Sequence, residues 1–117
     1  MTEDQHQIAL VTHWRLRRSP GWEMWHTPNG GLRTPREAAK LKALGTLPGV
    51  PDLLLLCPEG RLHGLELKAG RNVPTPEQNA FGAAMQSAGL PWEWSRELNR
   101  SLSILEGWGA LRRADRG

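Results

Sequence analysis

The pattern of hydrophobic and polar positions predicts four helices and four strands. Apolar residues recur at steps of three and four over residues 3–18, which predicts a first helix that ends at Ser19-Pro20-Gly21. A short strand is predicted over 22–26, before the turn cluster Thr27-Pro28-Asn29-Gly30-Gly31.

Two later helices begin with the same signature. Thr34-Pro35-Arg36-Glu37 and Thr75-Pro76-Glu77-Gln78 each have Thr as N-cap, Pro in the first turn and a Glu or Gln that closes a capping box. Gly45 and Gly89 supply the stops. The apolar spacing predicts these buried stripes: Ala38, Leu41 and Leu44 on one helix, and Phe81, Ala84, Met85 and Ala88 on the other.

A strand hairpin is predicted between these two helices. Residues 53–57 are apolar on both faces, which indicates a central strand buried on both sides. Pro58-Glu59-Gly60 turns the chain, and residues 61–68 return as the partner strand. A three-residue turn sets Asp52 directly opposite Glu66, with both side chains on one face, whereas a two-residue turn would break this match.

The remaining elements complete one mixed α/β domain over residues 1–117. A fourth strand is predicted over 91–95 and a last helix over 97–106, and residues 110–117 are expected to fray. The order α-β-α-β-β-α-β-α predicts a small mixed sheet flanked by helices.

Composition narrows the class of protein. The sequence has no long apolar stretch and no secretory signal pattern, so neither a membrane span nor secretion is expected. The single cysteine, Cys57, cannot form an internal disulfide, which favours a reducing cytoplasm. Arginine supplies 12 of the 15 basic residues, which suits phosphate contact, although a merely soluble basic surface stays open.

The hairpin carries the candidate chemistry. Alternation places Glu66 and Lys68 on one face of their strand, the face that Asp52 shares. Two carboxylates, the backbone carbonyl of Leu67 and a lysine are suited to bind a divalent metal and hydrolyse a phosphodiester. Glu3 adds a further carboxylate if the first helix packs across the sheet edge. The alternative is structural: an Asp in a turn and a Glu-x-Lys ion pair on a solvated strand.

These motifs resemble a known group. Gly-Val-Pro-Asp before an apolar strand, then Glu-x-Lys, then Pro-x-Pro-x-Gln opening a helix, resemble the PD-(D/E)XK nuclease superfamily and, within it, the short stand-alone members of the VRR-NUC (virus-type replication-repair nuclease) family. Glu3-Asp4-Gln5-His6-Gln7-Ile8 resembles the first helix of that family. Leu98-Asn99-Arg100 departs from it, because it replaces a more usual acidic run.

The resemblance implies a restriction-endonuclease-like fold and a site. Asp52 and Glu66 would be the metal-binding acids and Lys68 the catalytic lysine. Gln78 would be the glutamine near the active centre, and Glu3, with Gln7, the helix-one position. The metal would be Mg²⁺ or Mn²⁺, and the substrate branched DNA, notably four-way (Holliday) junctions cut by a homodimer.

Some alternatives stay open on the sequence. Gln78 either closes its capping box or faces the metal centre. Trp22 and Trp25 lie on opposite faces of a short strand, so one ring points outward and marks a dimer contact or stacks on a base. A branched-DNA-binding module without cleavage, or a flap or less selective nuclease, is the rival function.

Overall fold

The computed structural model describes residues 1–28 and 33–114. Its elements, in chain order, are α1 (Glu3–Arg17), β1 (Glu23–His26), α2 (Pro35–Ala43), β2 (Leu53–Leu56), β3 (Leu62–Leu67), α3 (Pro76–Ser87), β4 (Trp92–Ser95) and α4 (Leu98–Trp108). This order confirms the predicted α/β succession. The predicted glycine turn at 29–31 lies outside the described residues.

The four strands form one mixed sheet in the order β1-β2-β3-β4. Strand β2 is antiparallel to both β1 and β3. Strand β4 pairs with β3 in parallel after the crossover through α3. Leu53 pairs with Leu65 and Leu56 with Leu62, and the Cys57 N–H donates to the Arg61 carbonyl at 3.0 Å. The predicted hairpin register is therefore confirmed.

The main core lies between one sheet face and helices α1 and α4. Its innermost leucines are at most 1 % exposed: Leu10, Leu53, Leu55, Leu65, Leu67 and Leu105. The inward stripe of α1 is His6, Leu10 and Trp14, spaced by four residues, whereas Ile8 points outward and is 67 % exposed. One position of the innermost stripe is thus polar.

Helix α3 packs on the other face through small residues. A Cβ on Gly82 would lie 2.5 Å from the Trp92 ring, and one on Gly64 would lie 2.9 Å from the Met85 sulfur. The predicted stripe is only partly right, because Met85 is buried but Ala84 and Ala88 are exposed.

Strand β2 is central, as predicted, but it is not buried on both sides. Leu53 and Leu55 face the core, whereas Leu56 on the opposite face is 39 % exposed. The part of that face that Leu56 occupies is therefore partly open to solvent. The apolar run therefore predicted the strand correctly, but the predicted burial of its second face is wrong.

Helix α2 is the clearest departure from the predicted packing. It contains no buried residue, and Leu44 at its end is 71 % exposed, so the predicted buried stripe is wrong. Its capping box is only half formed: the Thr34 hydroxyl accepts the Glu37 N–H at 3.1 Å, and no return bond is present among the described residues. The periodicity of apolar residues predicted an apolar side of α2, but it does not show whether another element packs against that side.

The predicted fraying of the tail is also wrong at its start. Ala110 is 0 % and Leu111 2 % exposed, and the Arg112 N–H donates to the Arg17 carbonyl at 2.8 Å. Leu111 forms a β-bridge with Arg18, which closes the core over the end of α1. Residues 115–117 lie outside the description.

No helix in the described part of the chain is both long and apolar enough to cross a bilayer.

Candidate active site

Asp52 and Glu66 lie side by side where β2 begins and β3 ends. The Leu67 N–H donates to Oδ2 of Asp52 at 2.9 Å, which ties the first acid to the strand that carries the second. The hairpin register places the two residues opposite each other, one step beyond the Leu53–Leu65 pair. The backbone of the hairpin itself thus brings the two carboxyl groups together.

Glu66 is buried and braced from one side. Its side chain is 2 % exposed, and Nε2 of Gln78 donates to its Oε1 at 3.0 Å. The other oxygen, Oε2, is buried with no N–H donor among the described residues, and the Asp52 carboxyl is the neighbouring side chain that hydrogen-bonds with Glu66 when the pair holds a proton. A buried carboxylate oxygen without a donor is costly, so this atom points to a ligand.

Gln78 performs both of the tasks that the sequence left as alternatives. Its Oε1 accepts the Thr75 N–H at 2.8 Å, and the Thr75 hydroxyl accepts the Gln78 N–H at 3.2 Å, which completes the capping box. The other end of the same amide donates to Glu66. The first turn of α3 and the orientation of the acid are therefore linked by one side chain.

The acid pair resists a second negative charge. Burial raises the pKa of Glu66 from its ordinary 4.5 to about 9, and hydrogen bonding to Asp52 and repulsion by its charge act in the same direction. The positive charge of Lys68 opposes the rise. At neutral pH and without a cation, the pair therefore retains a proton.

Lys68 lies at the edge of this pair and is 8 % exposed. Its backbone N–H donates to the Ser95 carbonyl at 2.9 Å, which extends the β3–β4 pairing to the lysine. Within residues 1–28 and 33–114, no carboxylate lies within ion-pair distance of its ammonium group. A largely buried lysine without an ion-pair partner is typical of a functional position rather than a stabilising one.

Glu3 does not join the acid pair as a third carboxylate. It is half-buried in the first turn of α1, as is Gln7 one turn later, and its charge acts on His6. In the described residues, however, no three Asp, Glu, His or Cys side chains lie close enough to hold one metal ion. Helix α1 thus packs near this end of the sheet without grouping Glu3 with the acid pair, and the role of Glu3 as a ligand stays a prediction.

His6 is a residue of this region that the sequence analysis did not assign. It is 1 % exposed, and Nε2 lies 2.9 Å from the Ser101 hydroxyl of α4. Burial lowers the pKa of His6, while the backbone of Lys68 and the charges of Glu3 and Asp52 counteract part of that effect. The four-residue spacing from Leu10 was the available signal that this histidine faces inward.

The oxygen donors of the site fit a hard divalent cation. Two adjacent carboxyl groups, one with an unpartnered oxygen, together with the Leu67 carbonyl, are the ligands that Mg²⁺ or Mn²⁺ prefers. Mg²⁺ usually keeps several waters and needs only one or two carboxylates, so two acids are enough. The residues present are therefore suited to one such ion.

No protein-family model matches this chain, and no curated protein matches it by sequence. Solved structures do resemble it. One, described as a "VRR_NUC domain protein", is 22 % identical with a TM-score of 0.74 over 91 % of this chain and 86 % of that one. Another, described as a "VRR_NUC domain", is 17 % identical with a TM-score of 0.61 over 91 % of this chain and 96 % of that one. The predicted restriction-endonuclease-like architecture is confirmed, and the chain has the fold of the VRR-NUC domain.

Proposed function

We propose that this protein is a metal-dependent DNA endonuclease of the VRR-NUC family. The observation that carries the proposal is the buried pair Asp52–Glu66, with an unpartnered carboxyl oxygen and an adjacent buried lysine. The likeness of the fold to two VRR-NUC structures supports it. A surface ion pair, the structural alternative, does not explain this arrangement, because Glu66 and Lys68 are both buried.

Asp52 and Glu66, with the Leu67 carbonyl, would hold the cation. Mg²⁺ or Mn²⁺, when bound, supplies a Lewis acid that offsets negative charge on the phosphate. The Leu67 N–H keeps Asp52 oriented, and the Gln78 amide does the same for Glu66. These supporting hydrogen bonds hold the ligand oxygens in place before the substrate arrives.

Lys68 acts on the reacting groups. Hydrolysis forms a bond between a water oxygen and phosphorus and breaks one ester P–O bond, and the water loses a proton while the leaving oxygen gains one. The ammonium group of Lys68 orients the attacking water and stabilises the charge that grows on the phosphoryl oxygens. Its burial beside Glu66 keeps it in place for this task.

Cleavage of labelled DNA with Mg²⁺, Mn²⁺ or EDTA tests the proposal. Asp52→Asn and Lys68→Ala should each lower the rate at least about 100-fold while circular dichroism and DNA binding persist. Glu59→Gln, an exposed acid in the hairpin turn, is the matched control and should cut like the wild type. Wild-type protein that binds DNA and cuts in no metal would instead favour the binding module.

Homodimerisation and preference for four-way junctions are the finer parts of the proposal. Trp25 is 43 % and Leu56 39 % exposed, and the strand register places both on the same face of the sheet. Exposed apolar residues favour a protein contact, and a two-fold dimer suits a nearly two-fold junction. Trp25→Asp should convert a dimer to a monomer in sedimentation, and equal cutting of junction, flap and duplex would contradict junction selectivity.

A further inference from the structure

One segment of the chain has a marked excess of positive charge. Residues 33–48, which we call the basic arm, contain four basic residues and one acidic residue: Arg33, Arg36, Lys40, Lys42 and Glu37. The arm thus carries +3, which equals the net charge of the whole chain, and the other residues contain eleven basic and eleven acidic side chains. Residues 15–18 also contain three arginines, but Arg17 pairs with Glu106 and Arg18 with Glu23.

The charges of the basic arm are uncompensated and accessible. The ion pairs of the described structure join residues elsewhere, on α1, α4, β1 and β4, and the four basic side chains make none. Helix α2, the centre of the arm, has no buried residue, so packing does not explain its lysines. The helix is nevertheless capped by Thr34 and held in regular form.

The basic arm adjoins the acid pair. A cavity of 780 Å³ lies between α2 and the first turn of α3, and both Lys42 and Gln78 line it. Gln78 also contacts Glu66, so one side chain separates the cavity from the proposed metal ligands. Gly49 anchors the end of the arm, because it has φ +92° and a Cβ there would lie 2.3 Å from the Glu77 carbonyl.

We propose that the basic arm binds the sugar-phosphate backbone of the DNA strand that enters the Asp52–Glu66 site. This inference takes its substrate class from the proposed function. Unpaired lysine and arginine side chains match phosphate oxygens, and their binding releases condensed counterions. The mixed lining of the cavity, with Leu41 and Leu47 beside Arg33 and Lys42, suits a strand that presents both sugars and phosphates.

A second copy of this chain is the rival occupant, since Leu44 and Leu47 are 71 % and 56 % exposed. Charge argues against it. Two arms that meet across a two-fold axis would bring +3 against +3, and the remainder of the chain has no excess of acidic residues to receive an arm. DNA supplies the complementary charge along its whole length.

Fluorescence anisotropy with a labelled four-way junction and a labelled duplex, in EDTA, tests the arm without cleavage. The triple variant Arg36→Gln, Lys40→Gln, Lys42→Gln should weaken the Kd by about tenfold to a hundredfold near 0.1 M salt. The slope of log K against log salt should become shallower by about 0.9 for each phosphate that the variant no longer neutralises. None of these side chains is buried, and Lys42→Glu alone provides a second, milder variant with a change in the same direction.

The matched control removes three exposed charges from the side of α1 and α4. Arg15→Gln, Arg100→Gln, Arg113→Gln should change the Kd less than about threefold. An arm variant with wild-type Kd and salt slope would overturn the inference, and so would a variant that only loses its dimer in sedimentation. If cleavage depends on Asp52 but the arm variant binds DNA like the wild type, the inference about the basic arm is wrong and the nuclease proposal stands. If the arm variant binds DNA more weakly but the wild type cuts no DNA, only the nuclease proposal is wrong.

Discussion

Helices α2 and α3 begin with the same kind of four-residue signature but differ in how they pack against the rest of the protein. Both place Thr at the N-cap, and in both the Thr hydroxyl accepts the N–H of the third helical residue. Helix α3 then buries Gly82 and Met85 against the sheet, whereas α2 buries nothing. The third residue makes a further difference, because Gln78 reaches Glu66 while Glu37 makes no such contact. A local start signal specifies a helix and leaves its partner unspecified.

Gln78→Ala in α3 and Glu37→Ala in α2 should show the largest difference between the two helices, measured as the rate of cleavage. Loss of the Gln78 amide removes the donor to Oε1 of Glu66, and loss of such an orienting hydrogen bond costs about 10- to 100-fold in activity. Glu37→Ala should leave cleavage within about twofold, because its side chain caps nothing. Single-turnover cleavage at saturating DNA measures both, and equal rates for the two variants would show that α3 does not brace the site.

Gly82→Ala tests how tightly α3 is packed. The added methyl would meet the Trp92 ring at 2.5 Å, so it should destabilise the fold by about 1–3 kcal/mol despite the better helix propensity of Ala. Thermal unfolding measures the change. Gly107→Ala in α4 is the matched control, since nothing lies within 4 Å of its Cβ, and it should stabilise by about 0.5–1 kcal/mol. A stable Gly82→Ala variant would mean that α3 is as loosely held as α2.

Glu66→Gln should stabilise the metal-free protein as pH rises. The pKa of Glu66 is about 9 in the folded chain against an ordinary 4.5, so below 4.5 both states hold the proton. Between 4.5 and 9 the unfolded chain ionises first, and the unfolding free energy of the wild type falls with pH. Gln cannot ionise, so the variant should gain at least about 1 kcal/mol, or about 4 °C, at pH 8 in EDTA.

Two controls accompany this pH series. Wild type and Glu66→Gln should unfold at similar temperatures at a pH about one unit below 4.5, where Glu66 is protonated in the folded chain and mostly protonated in the unfolded one. Glu37→Gln on α2, whose side chain is exposed, should show no pH-dependent gain. A variant that is equally stabilised at both pH values would contradict the raised pKa.

Thr75→Ala and Thr34→Ala should give the smallest contrast. Removal of an N-cap costs about 1 kcal/mol where the helix is part of the cooperative fold, so Thr75→Ala should lower the melting temperature by about 4 °C. Thr34→Ala should move it by less than about 1 °C, because α2 contributes no buried surface. Hydrogen exchange should then report the loss of α2 locally, and an equal drop in both variants would refute this view.

Much of the fold was accessible from the sequence because its signals are local. Apolar periodicity, caps, glycine stops and a three-residue turn identified the elements and the β2–β3 register, and that register placed Asp52 opposite Glu66. Packing was less accessible, since it depends on distant residues. The stripe of α2, the second face of β2 and the burial of Leu111 were all predicted wrongly for this reason.

The residues of the candidate site were likewise predictable where they depend on local signals and not where they depend on packing between distant segments. The hairpin brought together the residues that the sequence joined, whereas Glu3 depended on how α1 crosses the sheet and was left outside the acid pair. Gln78 was posed as a choice between two roles because a sequence cannot show that both ends of one amide are used. His6 was missed, since its partner Ser101 lies 95 residues away.

The turn Pro58-Glu59-Gly60 is exposed and lies at the other end of the hairpin from Asp52 and Glu66. Its length nevertheless sets the β2–β3 register that places these two acids opposite each other. One residue more or fewer would shift β3 by one position, and Glu66 would then exchange faces with Leu65. Such a change would separate the two carboxyl groups without altering either one. The tip of this hairpin is therefore constrained in length, and in composition at Gly60, whose φ is +82°. A survey of related chains should find it constant in size even where Pro58 and Glu59 are replaced.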